Sequence, residues 1–199
     1  MKYLKIVKIS IYLMFIMVSF LLSLFSFDNY SIFSNTTSHL GAQGSPYAWV
    51  MNFTFISLGL VSFVMMISSR IIYHKVVGSV FAISLVFTGI FQHESLLANF
   101  QSIIWLDQLH SVFATTTGIS FVLLSAGHGF MSKGKQRMYG FALALIATLL
   151  SLFMTLIPSY IGLFQRVMFM VSFGWLFFYM NNPIERQMKT VQPEKSRYN

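Results

Sequence analysis

Cysteine is absent from the 199-residue chain, which excludes disulfides, thiolate nucleophiles and any cysteine-ligated metal site. Charge is nearly as scarce. Asp, Glu, Lys and Arg make up 9% of the residues, whereas a soluble domain carries about 25% to cover its surface. Several catalytic signatures are missing too: no phosphate-cradling glycine loop, no nucleophile elbow, no paired-carboxylate motif, and no H-x-x-x-H or H-E-x-x-H spacing. Ser45 follows Gly44, but nothing around it resembles the setting of a catalytic serine.

Apolar length is what the chain has instead. Hydrophobic residues make up 56% of it, with a mean hydropathy of +0.69. Runs of ~18 or more apolar residues with few charges are the length a helix needs to cross a bilayer. They predict an all-α, polytopic membrane bundle of about six transmembrane helices, over residues 6–27, 46–67, 76–91, 103–130, 139–157 and 165–180. The expected organisation is one six-helix domain over 1–183 and a basic cytoplasmic tail over 184–199.

The first run follows Lys2, Lys5 and Lys8 and so resembles a signal peptide. It is long for one, and no A-x-A-like site precedes Asp28, so it reads as a retained helix. Pro46 suits the first turn of the second helix, where a missing N–H costs nothing. Pro158 stops the fifth, and Asn181-Asn182-Pro183 the sixth. The turn from Ser132 to Arg137 carries no apolar residue.

Basic residues then set an expected orientation. Twelve of the thirteen, at 2, 5, 8, 70, 75, 133, 135, 137, 186, 189, 195 and 197, fall on one side of this topology. Short loops rich in Lys and Arg stay in the cytoplasm, so both termini are expected inside and the chain is placed in the cell membrane. The formal charge of +8 is thereby explained by topology, and nucleic acid is not expected as a partner. The thirteenth, Arg166, falls on the outer side with Asp28, Glu94 and Asp107.

Ionisable groups near a bilayer are costly, so they are the candidate site. Asp107 and His110, three apart, share a face of the fourth helix. Arg166, preceded by Gln165, opens the sixth, and His93-Glu94 closes the third. Three readings are open. Arg166 pairs with Asp107 or Glu94 in an ion-pair clamp; the groups line a polar pocket facing the outer leaflet; or His93, Glu94, Asp107 and His110 hold a metal, which the nearby Arg166 opposes. His128, five turns beyond His110, continues a face bearing Thr117 and Ser125, but Phe121 interrupts that path. His74 belongs to a basic turn and His39 to a polar loop.

Ser38-His39-Leu40-Gly41-Ala42, then Ser45-Pro46-Tyr47-Ala48 and Asn52, resembles the first loop and second helix of a six-helix family of bacteria and archaea, domain-of-unknown-function family 998. His110, Gly162-Leu163-Phe164-Gln165-Arg166 and Trp175 match it as well. Members usually carry Phe-Pro and an acidic residue after the third helix, where this chain has Phe91-Gln92-His93-Glu94 and lacks the proline. The first-loop pattern is also distantly similar to the Frag1/DRAM/Sfk1 membrane proteins, some of which are linked to lipid handling. The resemblance implies a fold and a shared outer-face polar cluster, and no established activity.

The leading expectation is a non-enzymatic membrane protein that binds a lipid or small amphiphile in an outer pocket of His93, Glu94, Asp107, His110, Gln165 and Arg166, roofed by residues 28–45. No catalytic residue, metal or cofactor is expected. Membrane lipids are the expected partners. One alternative is a membrane hydrolase using His110 with Asp107, with or without a metal. Another is an accessory or immunity-type subunit working through a second membrane protein.

Overall fold

The computed structural model describes residues 2–180; the stop at Asn181-Asn182-Pro183 and the tail at 184–199 lie outside the described residues. Among these, the chain forms α1 (Lys2–Leu21), a short α2 (Thr37–Leu40), α3 (Ala48–Ile67), α4 (Ile72–Ile90), α5 (Ile104–Met131), α6 (Gly134–Leu156) and α7 (Ile161–Gly174). A 3-10 turn, Leu22–Phe25, extends α1; another, Pro158–Tyr160, leads into α7, and a π-helical segment, Trp175–Tyr179, continues it. Six stretches are long and apolar enough to cross a membrane, with mean hydropathies of 1.4 to 2.2. The all-α, multi-pass reading holds.

Helix ends differ from the sequence reading where polar residues were taken for turns. α4 begins at Ile72 rather than 76, so His74 is inside a helix and 1% exposed, not part of a solvated turn. α6 begins at Gly134 rather than 139, because Lys135, Gln136 and Arg137 are good helix formers and need only a polar side to face. Pro46 stands two residues ahead of α3, whose N-cap, Tyr47, is left-handed with φ 54°.

Successive spans pack on one another, α3 on α4, α4 on α5, α5 on α6 and α6 on α7, and α1 closes the bundle against α3 and α7. Phenylalanines from five spans meet at the centre. Phe15 packs on Phe169 and Phe173, Phe55 on Phe169, and Phe81 on both Phe121 and Phe173, with ring centroids 5.8–6.1 Å apart. Lipid tails are as apolar as these rings, so close packing rather than transfer from water holds the helices together. Where α5 meets α6, Gly140 sits so close that a Cβ there would stand 2.6 Å from the backbone nitrogen of Gly129.

Candidate functional site

One end of the bundle, the loop face, carries two long connections, residues 26–47 and 91–103. The first connection is folded into the protein: Thr36, Thr37, Ser38, Leu40, Ala42, Gln43 and Ser45 are all buried. Local chemistry builds it. Thr36 caps α2 by accepting from the His39 N–H, and His39 Nδ1 accepts from the Thr36 N–H at 3.0 Å, a reciprocal capping box. Ser45 Oγ donates to His39 O at 2.8 Å, and Asn52 Nδ2 to Gly41 O at 3.0 Å. Gln43 ties in the second connection, donating to Ile103 O and accepting from Ile103 N–H at 2.7 Å. The matched first-loop motif is therefore a scaffold of turns.

Arg166 fastens that scaffold to α7. It is 0% exposed, and its guanidinium donates to the carbonyls of Ser19, Ile32, Asn35 and Gly162 at 2.8–3.1 Å and to Tyr30 Oη at 2.6 Å. Phe33 O accepts from the N–H groups of Gly162 and Leu163 at 2.8 and 3.2 Å, so the loop also satisfies donors that the first turn of a helix leaves unpaired. Burial raises the Tyr30 phenol, outweighing the opposite pull of Arg166. One of the three readings of the sequence paired Arg166 with Asp107 or Glu94. That expectation is corrected: Arg166 contacts no carboxylate among the described residues, because backbone carbonyls and a phenol already surround its planar fork.

Asp107 instead bonds to His93 Nδ1 and accepts from the Glu94 N–H at 2.8 Å. His93 is the middle of three stacked imidazoles, with His39 on one face at 5.0 Å and His110 on the other at 5.2 Å between centroids. His110 is buried, and its Nδ1 lies 3.0 and 2.8 Å from the carbonyls of Thr88 and Phe91. Carbonyls only accept, so this nitrogen carries the proton. Two carbonyls and the stacked His93 ring orient His110, and with Asp107 bonded to His93 the hydrolase reading built on His110 with Asp107 loses its direct carboxylate partner. The Glu94 side chain is exposed and supplies only its N–H to the group. Among the described residues, no three His, Asp or Glu side chains converge in a way that holds a metal ion. His39 lies outside the spans, and burial, reinforced by His93, His110 and Arg166, lowers it to about 4. Sequence reasoning passed over His39; the Thr36-x-x-His39 spacing is the signal that it is a structured position.

Gln165 goes elsewhere again. Its Oε1 accepts from both the N–H and the Oγ1 of Thr37, at 2.8 and 2.7 Å, and the residue lines a cavity of about 640 Å³ between α5, α6 and α7. At the loop-face end the cavity meets Ser38, Thr88 and Gln165. Leu85, Ile119, Val122, Met154, Met168 and Phe169 form apolar walls, and Thr148, Ser151 and Thr155 line the α6 side. The six predicted residues thus split three ways: His93, Asp107 and His110 together with the Glu94 backbone, Arg166 in its carbonyl cage, and Gln165 alone on the cavity.

At the opposite, basic end, His74 stacks on His128 at 5.3 Å, and His128 meets Trp175 edge-on at 5.3 Å. His128 Nε2 faces Ser132 Oγ and Gln136 Oε1. His74 Nε2, His128 Nδ1 and Trp175 Nε1 are buried with no hydrogen-bond partner among the described residues.

No curated protein and no solved structure matches the chain. The model of one family, described as "Protein of unknown function (DUF998)", matches residues 11–180.

Proposed function

The chain belongs to the DUF998 family, and from its own geometry we propose that it binds a membrane amphiphile in the cavity between α5, α6 and α7. The observation that carries this is the polarity of the cavity along its length. Ser38, Thr88, Thr155 and Gln165 sit at the loop-face end, and Leu85, Ile119, Val122, Leu123, Met168 and Phe169 line the body. Thr115, Ser151, Thr117 and Thr148 are interspersed there, the last two with their hydroxyls donated to carbonyls of their own helices. A molecule with a polar head and an apolar tail matches that order. The volume of about 640 Å³ falls within the ~300–1,000 Å³ of small-ligand sites.

Local structure supports the same reading. Gly140 brings α6 into backbone contact with α5 near Gly129, and the cavity separates Thr115–Leu123 of α5 from Thr148–Thr155 of α6. From the buried loop, Ser38 reaches the polar end. With the loop face outside, as the basic residues predict, the head would sit toward the outer leaflet.

Gly118 supplies the test. It lines the cavity, and a Cβ built on it meets nothing within 4 Å. Gly118→Leu therefore starts its side chain in open space and directs it into the cavity. Native mass spectrometry of the full chain extracted from membranes is expected to show a retained lipid on the wild type and none on this variant, with melting unchanged. Equal lipid retention by a folded Gly118→Leu protein would sink the proposal.

A further inference from the structure

We infer that the head group this cavity accepts is uncharged and both accepts and donates hydrogen bonds, as an acylglycerol does; this rests on the amphiphile-binding reading above. Among the described residues, the polar part of the lining consists of hydroxyls and one amide, with no Lys, Arg, His, Asp or Glu. An anionic head buried there would give up its water without gaining a cation, and a cationic head would lack a carboxylate. Arg166, the neighbour of Gln165, is no reserve cation. It is fully buried and held by four carbonyls and Tyr30.

The direction of each hydrogen bond narrows the class further. Thr37 N–H can only donate, so the Gln165 atom it meets is Oε1, and the amide NH₂ is the free donor. Ser38, buried on the same wall, adds a hydroxyl that makes no hydrogen bond among the described residues. These two groups call for an acceptor such as an ester or ether oxygen. At the same end, Thr88 and Thr155 already donate to the carbonyls of Ser84 and Ser151. What they offer a ligand is oxygen lone pairs, which call for a donor such as a hydroxyl. An uncharged head with ester and hydroxyl groups satisfies both sets.

Matched single-chain probes separate the possibilities. Monoolein, oleate and oleoyl lysophosphatidylglycerol share one tail and differ in the head. Binding of each to the purified full chain in lipid nanodiscs is followed by native mass spectrometry, with Gly118→Leu reporting whether the cavity is the site. Monoolein is expected to bind at least roughly tenfold more tightly than either anion, the order of one or more charge or hydrogen-bond mismatches. Ser38→Ala is expected to weaken it roughly tenfold, the loss of one hydrogen bond. Gln165→Glu keeps an acceptor for Thr37 but removes the free donor, and is expected to weaken it at least as much. Should Gln165→Glu fail to fold, Ser38→Ala decides the donor argument. Oleate or the lysolipid binding as tightly as monoolein, and lost in Gly118→Leu, overturns the uncharged head while the cavity reading stands. If no probe binds in a Gly118-sensitive way, both fall.

Discussion

His39 shows how much a single side chain is asked to do in the buried loop. Its Nδ1 closes the capping box on Thr36, its ring stacks on His93, and its carbonyl anchors Ser45. Burial lowers it from 6.5 to about 4. Between those values the unfolded chain binds a proton that the folded chain refuses, so the contribution of His39 to stability is complete above 6.5 and is lost as the pH falls toward about 4. The groups that face it, His93, His110 and Arg166, are cations when protonated and act in the same direction. Glutamine also serves at the third position of a capping box, so His39→Gln keeps the turn and removes the titration. The wild type is expected to lose melting temperature between pH 6.5 and 4 in detergent, and His39→Gln to lose less. Identical pH profiles would mean that His39 takes no part in the acid sensitivity.

α7 is the element that makes the loop face one piece with the bundle. Its first two turns place Gly162, Gln165 and Arg166 on the side facing residues 30–37, and each meets the loop differently. Arg166 donates to carbonyls, Gln165 accepts from Thr37, and Gly162 lets the backbones touch. A Cβ on Gly162 would stand 2.7 Å from Ile32 O and collide with Asn35 O. Gly162→Ala is therefore expected to cost about 1–3 kcal/mol, the usual range for overpacking, despite the better helix propensity of alanine. Gly118→Ala, with open space around it, is expected to be neutral or to gain up to about 1 kcal/mol. Chemical unfolding of both variants in detergent checks the contrast. A Gly162→Ala protein as stable as Gly118→Ala would show that the loop is not held close to the helix.

Across the whole molecule, the two ends of the bundle are chemically unlike. The loop face holds Asp28, Glu94, Asp107 and the caged Arg166; the other end carries Arg70, Lys75, Lys133, Lys135 and Arg137, in the short connections 68–71 and 132–133 and the first turns of α4 and α6. Positive charge retained in the cytoplasm predicts the loop face outside. The absence of cysteine makes this direct to test, since one introduced thiol is the only one present. Ser34 and Lys135 are both exposed, at opposite ends of the bundle. Ser34→Cys is expected to react with a membrane-impermeant maleimide in intact cells, and Lys135→Cys only after permeabilisation. The reverse pattern would invert the topology and move the polar end of the cavity to the cytoplasmic leaflet.

By itself, the sequence determined the all-α class and the six long apolar spans. Membrane insertion is decided by hydropathy summed along a continuous stretch, and that sum can be read in one dimension. It also marked Arg166, Gln165 and the first-loop residues as unusual. Tertiary structure alone decided what those residues do. Thr37 meets Gln165 across 128 residues, and Arg166 meets Ser19 across 147, and no periodicity connects such pairs. Charge arithmetic paired Arg166 with a carboxylate, yet a guanidinium ringed by carbonyls has its donors satisfied without one, and Asp107 is left to His93. The cavity was equally hidden. A void between helices depends on how closely the backbones approach at Gly140 and how far apart they stand at Gly118, and the sequence writes the same letter at both places.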